Sequence, residues 1–247
     1  MEHAVLDLLV FACGLAGGVF VSAGIDRAVG GPAAVFRCKS CGRRFGLTQL
    51  IPVFGWLGRG GRCAGCGARI SPRIPFVEAA NGLLWVLVFR CVGSGPAVAA
   101  LTALFCSALL AAGVTDANTL EIPPGAGWFI LALGGLRLFS DLPHWPLYAL
   151  GFFAVSVPLG LVWLVSGGAA IGGGDVKLMA ACGLFLGWRL IVFAFLLGCV
   201  LGAVIHCCRM AFAGAGRVLA LGPYLAAGCA AAALCGNALL GWYLGMF

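Results

Sequence analysis

Six residues in this chain have the types and spacing to do chemistry. Asp116 follows the apolar run "VAALTALFCSALLAAGVT" and opens "DANTLEIPP". Asp175 follows three glycines, Gly172, Gly173 and Gly174, at the front of the apolar pattern "VKLMAACG". Taken singly, Asp175 reads as a helix cap that accepts from the N–H of Lys177 or Leu178. Taken as a pair, two carboxylates that meet in a partly dry pocket cannot both ionise freely. They would hold a water between a base and an acid, the equipment for hydrolysing an amide without a covalent intermediate. Three glycines beside one of them would let a substrate backbone come close, so Gly172, Gly173 and Gly174 join the candidate site as substrate-binding positions.

The other four residues are cysteines. Cys38-Lys-Ser-Cys41 and Cys63-Ala-Gly-Cys66 are two CxxC pairs with 21 residues between them. Each pair seats two thiolates on one turn, and two such turns close a tetrahedral zinc site with no open position for water. The expected metal is therefore structural. The remaining nine cysteines are scattered through apolar stretches and read as small hydrophobes.

The elements that must position these groups are membrane helices. Hydrophobic residues make up 62% of the 247 and charged residues 9%, too few charges for a soluble domain of this length. Apolar runs at 4–28, 77–92, 96–114, 125–140, 146–166, 176–187, 190–210 and 218–241 predict an all-α polytopic membrane protein of about eight membrane helices, one of them short. Whether 176–210 is one helix or two is left open by the pattern. Residues 4–25 lack the features of a cleaved signal peptide and are expected to stay. The chain divides into a first membrane helix (1–28), a polar four-cysteine insertion (29–76) and a membrane domain (77–247).

Eight of the fifteen Lys and Arg residues lie between Arg37 and Arg73. Positive charge in short loops marks the cytoplasmic side, so the insertion is expected inside and the N-terminus outside. Counting spans from there brings both Asp116 and Asp175 to the cytoplasmic face. With Arg27, Lys177, Arg209 and Arg217 added, twelve basic residues fall inside, against Arg90, Arg137 and Arg189 outside. Arg43, Arg44, Arg59 and Arg62 come without a run of stacking aromatics, so contact with membrane lipid is expected and nucleic-acid binding is not.

These motifs together resemble a known family. "GGGDVKLMAACGLFLGW" is similar to the GxGD signature of the type IV prepilin peptidases, and "TDANTLEIPP" to the motif of their first aspartate. The cysteine segment resembles the family's cytoplasmic insertion, with Ile51-Pro52, Trp56-Leu57, Gly61-Arg62-Cys63, Ile70-Ser71 and Pro75-x-x-Glu78 as landmarks. "ALGPYLAAG" near the C-terminus is also similar. The first span departs from the family pattern at Val19 and Ser22, and Pro124 stands where an Asp or Asn is common.

The resemblance implies an aspartic peptidase of the bacterial cytoplasmic membrane, with Asp116 and Asp175 as the catalytic pair. It would remove the basic leader of type IV prepilins or type II secretion pseudopilins. N-methylation of the new N-terminus from S-adenosylmethionine would follow. It also implies zinc on Cys38, Cys41, Cys63 and Cys66, and makes Glu78 a contributor to methyl transfer or leader binding. A basic leader needs acidic partners, for which Glu78, Glu121 and anionic lipid are the candidates, Glu121 by position alone. The alternative from another class is a membrane transporter or non-catalytic scaffold with a zinc-ribbon docking loop. Oligomeric state is not legible.

Overall fold

The computed structural model describes residues 2–30, 36–46, 50–213 and 219–245. Pro32 of the insertion and Arg217 of the charge count lie outside them. Among the described residues ten α-helices follow in chain order: α1 Glu2–Ala28, α2 Phe54–Leu57, α3 Arg73–Cys91, α4 Pro96–Thr119, α5 Pro124–Ser140, α6 Trp145–Ala154, α7 Ser156–Val165, α8 Gly173–Leu186, α9 Trp188–Ala213 and α10 Gly222–Leu244. Among the described residues there is no extended strand, only two isolated bridges in the cysteine insertion. An apolar chain in lipid has to satisfy its backbone within each segment, which helices do.

Among the described residues, five stretches are long and apolar enough to cross a membrane: Ala4–Ala28, Arg73–Cys91, Pro96–Thr119, Leu142–Val165 and Trp188–Phe212. The helices α5 and α8, with 17 and 14 residues, are shorter, as is the apolar stretch Gly222–Gly236.

Several helix ends differ from expectation for local reasons. The run expected over 146–166 is interrupted at Val155, between α6 and α7. Pro158 offers no N–H to Ala154, and its ring crowds that carbonyl. The stretch 176–210 resolves into two helices divided at Gly187, whose φ of 78° interrupts the helical backbone. α4 runs past 114 to Thr119, so Asp116 lies inside its last turns rather than after them. The side chains of Asn118 and Thr119 back-bond to the carbonyls of Val114 and Thr115, and Leu120 then stops the helix at a φ of 57°.

The chain forms two compact units, Met1–Ala111 and Ala112–Phe247, the boundary falling within α4. In the first, α1 packs along α3. Gly14 and Gly18, four residues apart, let the backbones touch: a Cβ on Gly14 would lie 2.8 Å from the Gly82 Cα, and one on Gly18 would lie 2.6 Å from the Glu78 Cα. Asn81 Nδ2 donates to the Gly14 carbonyl at 2.7 Å, and Arg90 pairs with Asp7 farther along the two helices. The cysteine insertion is seated where Phe36 and Ile70 pack on Val19 and Ile74.

In the second unit α8 is the central element, touched by α5, α6, α7, α9 and α10. That explains why Leu178, Met179, Ala181, Cys182 and Phe185, which point several ways around this short helix, are all buried. The tightest crossing is glycine on glycine. A Cβ on Gly183 would sit 2.1 Å from the Gly151 carbonyl oxygen, and one on Gly151 would sit 2.4 Å from that of Gly183. Gly183→Ala is therefore expected to cost on the order of 1–3 kcal/mol as an overpacked contact. Gly135→Ala, where no atom lies within 4 Å of the new Cβ, should hold or raise stability. Thermal midpoints in detergent, compared between the two variants, check this.

Candidate functional site

Asp116 sits in the last turns of α4 and is 5% exposed. The N–H of Gly222, the first residue of α10, donates to its Oδ2 at 3.0 Å. The positive end of a second helix thus faces a carboxylate that would otherwise be stranded in apolar surroundings. Only glycine fits at 222, because a Cβ there would lie 2.7 Å from the Asp116 carboxyl carbon.

Asp175 is 9% exposed and is the third residue of α8. The helix is capped at Gly172 with no side-chain bond, which corrects the reading of Asp175 as the cap. Its N–H donates to the Gly172 carbonyl at 3.1 Å, and its buried Oδ1 has no hydrogen-bond partner among the described residues. The glycine run makes room for its own surroundings: a Cβ on Gly172 would stand 3.2 Å from Asp175 Oδ2, and one on Gly174 would stand 3.3 Å from the Ile122 Cβ.

The two aspartates are 59 positions apart in sequence. The fold brings them close enough for the charge of Asp116 to act on Asp175. Two carboxylates that interact across apolar surroundings do not both ionise freely. Glu121 is elsewhere in character: exposed, beyond the end of α4, its N–H and carbonyl bonded to the Thr119 hydroxyl.

In the first unit the four cysteine sulfurs lie within 4.8 Å of one another. Cys38 and Cys66 are 3.6 Å apart, and Cys41 and Cys63 are 3.9 Å apart. Tetrahedral zinc with Zn–S bonds of about 2.3 Å needs sulfurs about 3.8 Å apart, so the residues present fit the metal. The N–H groups of Cys41 and Ser40 hold the Cys38 thiol down at about 6. Those of Gly65 and Cys66 lower Cys63 likewise. Cys38 and Cys63 are thereby prepared for the thiolate form that a metal requires, while the neighbouring thiols push Cys66 up to about 12.

The two knuckles are copies of one another. "RCKSCGRRF" at 37–45 repeats as "RCAGCGARI" at 62–70, a period of 25. Cys38 N–H donates to the Arg43 carbonyl as Cys63 N–H does to that of Ala68. Gly42 and Gly67 both adopt φ 69°, and Arg37–Arg44 and Arg62–Arg69 form matching bridges. Sequence reasoning found the cysteines but not this repeat, which was legible in the flanking Arg and Gly.

Glu78 is 4% exposed, and its Oε2 accepts from the N–H of Val53 at 2.7 Å. Val53 has a φ of 61°, so this bond from α3 holds a strained turn of the insertion. The cavity beside Glu78, bordered by Phe45, Trp56 and Ile70, measures about 30 Å³. That space alone is too small for a methyl donor the size of S-adenosylmethionine.

Asp26 escaped sequence reasoning altogether. It is 1% exposed at the end of α1, ion-paired with Arg73 at the start of α3 and 3.6 Å from Lys39 of the first knuckle. Its signal was present: a carboxylate within an apolar span.

The bacterial peptidase A24 N-terminal domain matches residues 13–92, and the type IV leader peptidase family matches residues 103–207. Several relatives carry the name prepilin leader peptidase/N-methyltransferase. That of Stutzerimonas stutzeri is 33% identical over 84% of this chain and 74% of its own length. That of Bacillus subtilis (strain 168) is 31% identical over 85% of each, and that of Aeromonas salmonicida (strain A449) is 34% identical over 84% of this chain and 73% of its own. No solved structure matches the chain significantly. Family models that cover Asp26, the four cysteines and both buried aspartates, with relatives alike over most of their length, place this chain in the type IV leader peptidase family.

Proposed function

We propose that this protein is a membrane endopeptidase that removes the basic leader of type IV prepilins or type II secretion pseudopilins. Asp116 and Asp175 are its catalytic dyad, and N-methylation of the new N-terminus follows. The observation that carries this reading is the convergence of those two buried carboxylates from α4 and α8, one of them with an oxygen left open. The ionised aspartate takes a proton from a water. The water oxygen attacks the scissile carbonyl carbon, and the protonated aspartate delivers its proton to the leaving nitrogen as the C–N bond breaks. No covalent intermediate forms on the enzyme.

The reading includes about eight membrane helices in a multi-pass protein of the bacterial cytoplasmic membrane, with the N-terminus outside and the dyad at the cytoplasmic face. A prepilin, an apolar helix with a basic leader, would lie in the bilayer with its cleavage point at that surface. Cys38, Cys41, Cys63 and Cys66 hold a structural zinc in the 29–76 insertion between the 1–28 helix and the 77–247 membrane domain. Glu78 serves that insertion by pinning Val53, Gly172 and Gly174 leave room at Asp175, and Glu121 with anionic lipid offers the basic leader its exposed partners. Methyl transfer draws on S-adenosylmethionine.

The test is incubation of the purified protein with a prepilin and labelled S-adenosylmethionine, read by mass at the product N-terminus. Leader loss with one added methyl group is expected. Uncut substrate would overturn the reading, and cleavage without label would remove its methyltransferase half. A second result bears on the geometry alone. Gly222→Ala should lower cleavage about 10²-fold by displacing the Asp116 carboxylate, because misplacement of about 1 Å costs that much. Initial rates on the same substrate check it, and a change of less than twofold would contradict it.

A further inference from the structure

The cysteine insertion carries an apolar edge of its own. Ile51, Phe54 and Leu57 recur every third residue, the spacing that puts side chains on one side of a helical turn, and each is half exposed or more. The N–H groups of Gly55, Leu57 and Gly58 donate to the carbonyls of Ile51, Val53 and Phe54, which makes 51–58 one such turn around α2. Its other side faces the insertion, where the Trp56 indole N–H donates to the Ile70 carbonyl at 3.1 Å. Three large apolar side chains standing outward on a polar insertion mark a contact surface.

Two observations say what covers it. The first is height. The bond from Val53 N–H to Glu78 Oε2, at 2.7 Å, fixes α2 beside α3, at a residue about 7.5 Å along that helix from Arg73 by the usual rise of about 1.5 Å per residue. α3 is one of the stretches apolar enough to cross a membrane, and Phe76 on the same turns is exposed. α2 therefore stands level with the first turns of a span, the zone where apolar side chains enter a bilayer interface. The second is charge. Residues 29–76 hold eight Lys and Arg and no Asp or Glu, and Arg59 and Arg62, which follow α2 directly, are exposed. Apolar side chains beside such positive charge are complementary to an anionic leaflet.

We infer that α2 is an interfacial anchor: Ile51, Phe54 and Leu57 enter the anionic leaflet of the bilayer that α3 spans, with Arg59 and Arg62 on its headgroup phosphates. The assignment rests on the proposed reading of α3 as a membrane span and is independent of the peptidase chemistry. The insertion, joined to α1 and α3 at its ends, is thereby held to the membrane at its middle as well. In the test, the full chain is reconstituted in vesicles of phosphatidylglycerol and phosphatidylethanolamine. A photoactivated carbene probe dissolved in the acyl chains then labels it, and labelled peptides are mapped by mass. The exposed Leu83 and Leu87 of α3 give the reference. Label on 51–57 should be comparable to that on 83–87. Phe54→Ser/Leu57→Ser should lower it about tenfold or more, because two large apolar side chains no longer leave water. Arg59→Gln/Arg62→Gln should lower it by a smaller factor, one that disappears in phosphatidylcholine vesicles.

Label on 83–87 with none on 51–57 in the wild type overturns the assignment and leaves an acidic protein partner as the cover of this edge. Label on 51–57 that neither pair of substitutions lowers overturns it too. Absence of label on both segments removes the membrane span and the anchor together. Cleavage of a prepilin by the same vesicles reports on the peptidase reading alone, so the two claims fail separately.

Discussion

Asp175→Asn is expected to lower leader cleavage by about 10²- to 10⁴-fold, and Asp116→Asn by a similar factor, with neither variant losing its fold. Asparagine matches aspartate in shape and retains a carbonyl oxygen that can accept from the Gly222 N–H as Asp116 Oδ2 does. What it cannot do is accept or return a proton. Since the water must be activated on one side of the amide and the nitrogen protonated on the other, loss of either partner stops the same step. The double variant should therefore be no slower than the worse single one, the non-additivity of groups that act as a unit.

Stability gives this prediction a second readout. Two carboxylates buried at 5% and 9% exposure repel one another and lack water, so neutralising one should leave the thermal midpoint unchanged or raise it. If the aspartates served only to tie helices together, the midpoint would fall instead. Cleavage within tenfold of wild type in both single variants would sink the dyad.

How much of this was legible in the sequence depended on the range of the interaction. That Asp116 and Asp175 each interrupt an apolar run was plain, and this singled both out as candidates. The four cysteines were, because their spacing is local. Pro158 carried a visible reason for the break between α6 and α7, though an unbroken apolar run hid it. By contrast, the end of α4 was misplaced by five residues, because the back-bonding of Asn118 and Thr119 and the left-handed Leu120 are properties of the folded backbone. The ion pair of Asp26 with Arg73 joins residues 47 apart. The crossing of Gly151 and Gly183 depends on which helices meet, which neither glycine announces. Nor could the sequence say that Glu78 would be occupied by a backbone N–H.

Cys63→Ser is expected to abolish metal binding and unfold the insertion between Phe36 and Arg73. The wild-type protein, reduced and purified, should hold about one zinc per chain, since four sulfurs already stand at distances close to those the ion imposes. Beyond the bond of Val53 to Glu78 and the approach of Lys39 to Asp26, little else holds the insertion's described residues. It contains one four-residue helix, two isolated bridges and the small contact of Phe36 and Ile70 with Val19 and Ile74. The binding free energy of a structural zinc, about 10–16 kcal/mol in small modules, is then most of its folding free energy. Serine keeps the shape of the knuckle but removes a thiolate that Gly65 N–H stabilises at 3.4 Å. Hydrogen exchange and limited proteolysis should show protection lost across 36–73, while the α8 backbone keeps its protection. Acid should act as the mutation does, because protons compete with the metal for the thiolates. A wild-type protein without zinc, or a Cys63→Ser variant whose insertion stays protected, would overturn the assignment of a metal to these cysteines.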